Sequence, residues 1–226
     1  MKLATWNIER LKHKSKLVEI ADTIKAINPD ILILTETDCQ IKPDYRYCFS
    51  TPKTVNIAPS LYKETENRVS IYTNYELIRQ YETYDEYTAL CVELETERGH
   101  LIVYGTIIGF FGNRHRNFTD DLSKQVADIE RLSTNQNLCV AGDFNISFAD
   151  NYYFTQSGRE TLNKTFEKTG IEILTRNRPE CIDHIAISKK VIGNSTLEIK
   201  EWNYNKRLSD HKGIWVDVRN FDMEQI

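Results

Sequence analysis

Seven polar residues stand where acids, amides and imidazoles can do chemistry: Asn7, Glu36, Asp143, Asn145, Asp183, Asp210 and His211. Asn7 follows Leu3-Ala4-Thr5-Trp6, and Glu36 follows Ile31 to Leu34 and one threonine. Asp143 and Asn145 follow Leu138 to Gly142. Each falls just past an apolar run of strand length, where sheets present their ligand sites. Asp183 differs, because it interrupts its own run between Ile182 and Ile185. A charge there has to be paired, hydrogen-bonded or bound to a metal. Asp210-His211 comes late, after a basic polar loop and before the last apolar run.

Taken singly, these residues read as turn residues, strand ends, a helix cap or half of a structural ion pair. Taken together, they suit phosphoester hydrolysis. Oxygen ligands such as Glu36 and Asp210, with amide oxygens and water, suit Mg²⁺ or Mn²⁺ rather than zinc. A nearby carboxylate can orient or deprotonate an attacking water. An amide NH₂ such as that of Asn145 can donate to phosphate oxygens as charge shifts. A histidine beside a carboxylate can be held protonated against the phosphoryl group.

The elements that must position these residues follow from periodicity. Leu3 to Ile8 is a short strand. A helix carries Leu17, Ile20, Ala21, Ile24 and Ile27 on one face, with Ser15 as its expected N-cap and Asn28-Pro29 as its stop. Ile31 to Leu34 is the next strand, and the β-α-β order implies a parallel pair. Strands are expected over Arg68 to Thr73, Thr88 to Glu95 and Leu101 to Ile108, with a turn at Gly99-His100. A second helix starts near Thr119, and a third is expected behind a Ser157/Glu160 capping box, ending at Gly170. Between them lies a buried strand, Leu138 to Ala141. The remaining strands are Cys181 to Ile187, Thr196 to Trp202 and Ile214 to Val218. Such blocks predict an α/β (α+β) fold of two packed sheets covered by helices.

Composition is that of a globular chain, with 40% hydrophobic and 27% charged residues among 226. No repeat or linker divides it, so a single domain over 1–226 is expected. The net charge of -4 gives no whole-chain basic footprint for nucleic acid. It does not exclude a nuclease, because a metal ion brings its own positive charge to the phosphate. The cysteine count of 5 is odd, and no pair is spaced C-x-x-C, so buried free thiols are expected. The N-terminus turns polar too early for a signal peptide, and no apolar run approaches the roughly 20 residues of a membrane span. A cytoplasmic location without a membrane span follows as the expectation, and no protein partner is indicated.

The segments Thr5-Trp6-Asn7-Ile8-Glu9-Arg10-Leu11, Leu34-Thr35-Glu36-Thr37, Gly142-Asp143-Phe144-Asn145, Ile182-Asp183-His184-Ile185 and Ser209-Asp210-His211 resemble, in order and spacing, the motifs of the endonuclease/exonuclease/phosphatase (DNase I-like) superfamily. The resemblance runs from residue 3 to residue 218. It implies a four-layer α/β/β/α sandwich with one cleft and a divalent cation, Mg²⁺ or Mn²⁺. Carried over position by position, Glu36 would be the main metal ligand, with Asn7 close to metal and phosphate and Asp210 on the metal side. Asp143 would orient or activate the nucleophilic water, Asn145 would bind phosphate, His211 would contact it, and Asp183 would hold His211.

The chain departs from the pattern at three places. Thr35 stands where apurinic endonucleases usually have Gln, Ile107 stands where other branches have His, and Gly213 replaces a frequent proline. Tyr104 or Thr106, which share a strand face, are the expected substitutes for the missing histidine's phosphate contact.

Three loops next to the motifs mix aromatics with cations: Phe110 to Arg116, Asn151 to Phe154 and Trp202 to Arg207. Arg114 and Arg116 are the expected substrate contacts, and the mixture suits phosphates beside stackable bases. The leading reading is thus a metal-dependent nuclease or phosphodiesterase acting on nucleic acid or nucleotide. A phosphatase for inositol, lipid or other small phosphoesters is the nearest rival, and a non-catalytic binding module is the third.

Overall fold

A computed structural model describes residues 1–134 and 136–220, so residues 135 and 221–226 of the expected 1–226 domain lie outside the described residues. The first half of the chain forms β1 (Lys2–Asn7), α1 (Leu17–Ile27), β2 (Ile31–Asp38), β3 (Tyr47–Ser50), β4 (Glu66–Thr73), β5 (Glu76–Tyr81), β6 (Ala89–Thr96) and β7 (Gly99–Ile107). The second half forms α2 (Phe118–Ser133), β8 (Leu138–Asp143), α3 (Gln156–Thr169), β9 (Ile171–Ile173), β10 (Asp183–Ser188), α4 (Lys189–Ile192), β11 (Thr196–Trp202) and β12 (Gly213–Arg219).

The strands make two mixed sheets, ordered β11-β12-β1-β2-β4-β3 and β5-β6-β7-β8-β10-β9. The two parallel pairs, β1 with β2 and β7 with β8, are each joined by a long crossover helix, α1 and α2. Each crossover makes neighbouring strands end on the same side, which is where ligands bind in such sheets. Side chains alternate across each sheet. Leu3, Ile31, Ile33, Val69 and Ile71 of the first sheet meet Val92, Val103, Cys139, Ala141 and Ile185 of the second in one core. The opposite faces take the helices. Ile20 and Ile24 of α1 pack on Trp6, Leu32 and Leu34. Leu122 and Ile129 of α2, with Leu162 and Phe166 of α3, pack on Ile102, Val140 and Ala186. This is the pair of packed, helix-covered sheets that the patterning predicts and the α/β/β/α sandwich that the resemblance implies.

Local details differ where side-chain chemistry overrides pattern. The third helix is capped by Thr155, whose hydroxyl accepts from Gly158 N, and Ser157 lies inside the helix. Ser15 sits within a 3-10 turn (Lys14–Lys16) and caps nothing. The β6–β7 turn is Glu97-Arg98, because Thr96 pairs with Gly99. All five cysteines are free; Cys91, Cys139 and Cys181 are buried as expected, but Cys39 and Cys48 are exposed. No helix among the described residues is long and apolar enough to cross a membrane.

One core residue sets a pH limit on the fold. His184 is fully buried beside Phe144 and Phe148, with Nδ1 2.8 Å from the Thr175 hydroxyl and Nε2 2.9 Å from Ile146 O. The carbonyl fixes Nε2 as the donor, so the neutral ring satisfies both contacts. Burial pushes its pKa down to about 4, against 6.5 when unfolded. The unfolded chain therefore takes up the proton first. Stability from His184 is complete above about 6.5 and is lost as pH falls toward 4, by roughly 2–3 kcal/mol. Urea unfolding at pH 7.5 and 4.5 should show wild type losing more stability than His184→Asn by about that amount. Equal losses in the two proteins would refute it.

Candidate active site

The rows that form the inter-sheet core end in polar residues on one side. On β1 the row Leu3, Thr5 ends in Asn7. On β8 the row Cys139, Ala141 ends in Asp143, and on β10 the row Ile187, Ile185 ends in Asp183. Asp183 lies directly opposite Asp143 in the antiparallel register. Two carboxylates so placed repel unless other groups intervene. Asn7 intervenes twice: its backbone N–H donates to Asp183 Oδ1 at 3.0 Å, and its Nδ2 donates to Asp143 Oδ2 at 3.2 Å. Asn145 N donates to Asp143 Oδ1 at 2.8 Å. Gly142, at φ +138°, lets this strand end close on β7, since a Cβ there would lie 1.9 Å from Thr106 O.

His211 completes the chain of contacts. Its Nδ1 lies 2.5 Å from Asp183 Oδ2. The backbone around it is clamped by Trp6 Nε1 and Asn203 Nδ2, which donate to His211 O at 3.2 and 2.7 Å. Ser209 Oγ accepts from His211 N at 3.1 Å and donates to Asn7 O at 2.6 Å. Burial alone would push the imidazole pKa down. The Asp183 carboxylate, with Asp143 and Asp210 beyond it, outweighs burial and raises it to about 10. Burial raises Asp143; His211 opposes this, and Asp183 and Glu36 add to it, so the carboxyl sits well above the usual range. The arrangement thus sets a base-like carboxyl near a held imidazolium.

Asp210 is 62% exposed at its side chain, and its Oδ1 is 3.8 Å from His211 Nε2, too far for a hydrogen bond. Its backbone N donates to Glu9 Oε2 at 3.2 Å. Glu9, Arg10 and Leu11 all have positive φ, between 51° and 55°, so the loop after Asn7 is strained next to the site.

Glu36 has φ +44° in the middle of β2. Strict alternation would leave it on the face of Leu32 and Leu34, and the left-handed residue breaks that alternation. Its carboxylate, 25% exposed, accepts from Arg68 Nη1 at 3.3 Å. Among the described residues no three or more His, Cys, Asp or Glu side chains close into a metal cage. A magnesium-type ion keeps several waters and takes only one or two carboxylates, so Glu36, the open Asp210 and the Asn7 amide oxygen fit it by donor chemistry.

Tyr104 and Thr106 do not take the place of the missing histidine. They do share a face, but that face is turned to α2. Tyr104 is fully buried with its hydroxyl 3.3 Å from Asp128 Oδ2, and Thr106 Oγ1 is 2.6 Å from Gln125 Oε1. Gly105 instead approaches Val69 and Ile33 of the opposing sheet, so Ile107, in its row, takes the cleft-side position. The Asn145 amide is also engaged: Nδ2 donates to Ile108 O at 3.0 Å and, more weakly, to Gly109 O at 3.5 Å. Arg114 and Arg116 are both exposed, and Arg114 lies 5.5 Å over the Tyr153 ring. Sequence reading passed over Arg68 and Asn203. A charged residue opening an otherwise apolar strand was the available signal for Arg68, whereas Asn203 gave none.

Two packed sheets with this set of acids, amides and a histidine at one end define a phosphoesterase or nuclease of the DNase I-like class. The chain belongs to the endonuclease/exonuclease/phosphatase family, whose model matches residues 4–211. It is similar in fold to a 3′-5′ exonuclease from Neisseria meningitidis, at 16% identity over 97% of this chain and 100% of that one, with a TM-score of 0.72. An AP endonuclease from Leishmania major matches at 15% identity over 97% and 88% of the chains, with a TM-score of 0.73. An AP endonuclease from Archaeoglobus fulgidus matches at 14% over 96% and 99%, with a TM-score of 0.70. No curated protein matches the sequence.

The His211–Asp183 pair predicts a titration. Its contribution is complete below about 6.5 and is lost as pH rises through about 10. The His211 ring resonance in wild type should titrate near 10, and in Asp183→Asn it should fall by at least about two pH units. An unmoved midpoint would remove Asp183 as the partner of His211.

Proposed function

We propose that the chain is a single-domain, Mg²⁺- or Mn²⁺-dependent nuclease or phosphodiesterase acting on nucleic acid or nucleotide. The observation that carries this reading is the continuous set of contacts Asn145–Asp143–Asn7–Asp183–His211. Asp143, with its raised pKa, is suited to accept a proton from an attacking water at its carboxylate. His211 uses Nδ1 on Asp183, so its Nε2–H is the donor left for a phosphoryl oxygen. Asn145 would add to that by giving up its longer contact, to Gly109 O at 3.5 Å. Glu36, Asp210 and Asn7 would hold the cation, which when bound supplies Lewis-acid polarisation of a phosphoryl oxygen.

The substrate class is supported by the rim. A cavity of about 490 Å³ is lined by Asn145, Tyr152, Tyr153, Asp183, Lys206 and His211. Phe111, Tyr152 and Tyr204 are 59, 48 and 66% exposed, one on each of the three loops beside the site motifs. Exposed rings with nearby cations, such as Lys206 Nζ 2.7 Å from the Tyr152 hydroxyl, favour bases stacked beside phosphates. One similar structure is named as a 3′ phosphatase from Neisseria bound to a product DNA hairpin. The same Lys206–Tyr152 contact joins two rim loops, which favours a small phosphoester as the second reading.

Single- and double-stranded DNA, RNA, abasic DNA, nucleotides and inositol phosphates, each with Mg²⁺ or Mn²⁺, separate the readings. Turnover of a nucleic acid or nucleotide, abolished by EDTA and by Glu36→Ala, is the expected result. Tyr152→Ala with Tyr204→Ala should raise KM for an oligonucleotide about tenfold, and by less for bis(p-nitrophenyl) phosphate. Faster turnover of inositol phosphates would favour the second reading, and turnover undiminished by EDTA would defeat the metal.

A further inference from the structure

Arg68 is a charged residue with 3% of its surface exposed, and the proposed reaction gives it no task. The register of β2 and β4 on either side, Thr35 opposite Val69 and Thr37 opposite Asn67, sets it against Glu36. Its guanidinium divides its donors between the two sheets. Nη1 donates to Glu36 Oε1 at 3.3 Å, and Nη2 donates to Phe110 O, on the loop after β7. The Phe110 ring stacks on it with Cζ 3.9 Å from the ring centre, and Nε is buried without a partner. Carbonyl, ring and carboxylate together fix the plane of the fork. Arg68 is the one side-chain donor recorded on the Glu36 carboxylate among the described residues.

The geometry points to Arg68 as a positioning residue that holds Glu36 Oε1, leaves Oε2 as the single carboxylate oxygen for a divalent cation, and weakens cation binding by its own charge. This rests on the reading of Glu36 as the metal ligand. Two physical consequences follow. A fixed guanidinium beside the ligand opposes any cation bound there, because like charges at a few ångströms interact strongly in a partly buried site. A carboxylate restricted to one oxygen also suits Mg²⁺, which takes carboxylates singly, better than Ca²⁺, which accepts them bidentately. The site would therefore trade affinity for selectivity.

Calorimetry with Mn²⁺, Mg²⁺ and Ca²⁺ tests this on wild type, Arg68→Met, Arg68→Lys and Glu36→Ala, with thermal unfolding as the check on folding. Wild type should bind Mn²⁺ and Glu36→Ala should not. Arg68→Met should bind Mn²⁺ at least about fivefold more tightly, with a larger gain for Ca²⁺ than for Mg²⁺. Arg68→Lys, which keeps the charge, should gain less. Unchanged or weaker binding in folded Arg68→Met overturns the inference and leaves the metal reading intact. Absence of Glu36-dependent binding in wild type overturns both. Should Arg68→Met fail to fold, infrared difference spectra of wild type with and without Mg²⁺, using Glu36→Ala as the blank, decide the matter. A one-oxygen carboxylate band supports the inference, and a bidentate band overturns it.

Discussion

A carboxylate with 1% of its surface exposed has to be compensated where it lies, and Asp183 is compensated on two sides. One oxygen takes the backbone N–H of Asn7, at the end of β1 in the other sheet. The second takes His211, 28 residues along the chain. Both sheets and the loop before β12 therefore have to meet at one point for this single charge to be tolerated. The same requirement brings Asn7 to Asp143, fixes His211 as an imidazolium and leaves its Nε2 without a hydrogen bond among the described residues. Site and fold are joined at this residue, so a variant there reports on both.

The surroundings show what that convergence costs in backbone freedom. Glu9, Arg10, Leu11 and Glu36 all have positive φ, which is unfavourable for residues other than glycine and asparagine. They cluster beside the site, and ordinary strand and helix geometry holds elsewhere along the same elements. Gly142 is needed because the β8 end closes to within contact of Thr106. Strain of this kind persists only where packing over-determines it. Here the inter-sheet core and the helix layers supply that packing, and the clamp of Trp6, Ser209 and Asn203 on the His211 segment adds hydrogen bonds.

Much of this was legible in the residues. The apolar runs mark the strands that end in Asn7 and Asp143 and the strand that carries Glu36, and Asp183 announces itself as a charge inside an apolar run. Edge elements were not legible: β5 is almost wholly exposed, β3 alternates only between half-buried and exposed, and β9 alternates over just three residues, so none is long and apolar enough to stand out. Period two fixed that Tyr104 and Thr106 share a face but could not say which face was the cleft, and the hydrogen bonds to Asp128 and Gln125 of α2 decide it. Ser15 and Ser157 were plausible caps, but the helix starts were set by neighbouring turns and by Thr155. Arg68 shows in the sequence only as a charge opening an apolar strand, and its partner Glu36 follows from long-range register, which no local spacing carries.

The proposed reaction turns on Asp143 accepting the proton of an attacking water at a site held by Asp183 and His211. Turnover of Asp143→Asn at saturating Mn²⁺, on the best substrate found, tests it most directly. The expected result is a loss of at least about a hundredfold, with Mn²⁺ binding and unfolding midpoint kept near wild type. A loss of less than about tenfold in a folded, metal-binding variant would contradict it.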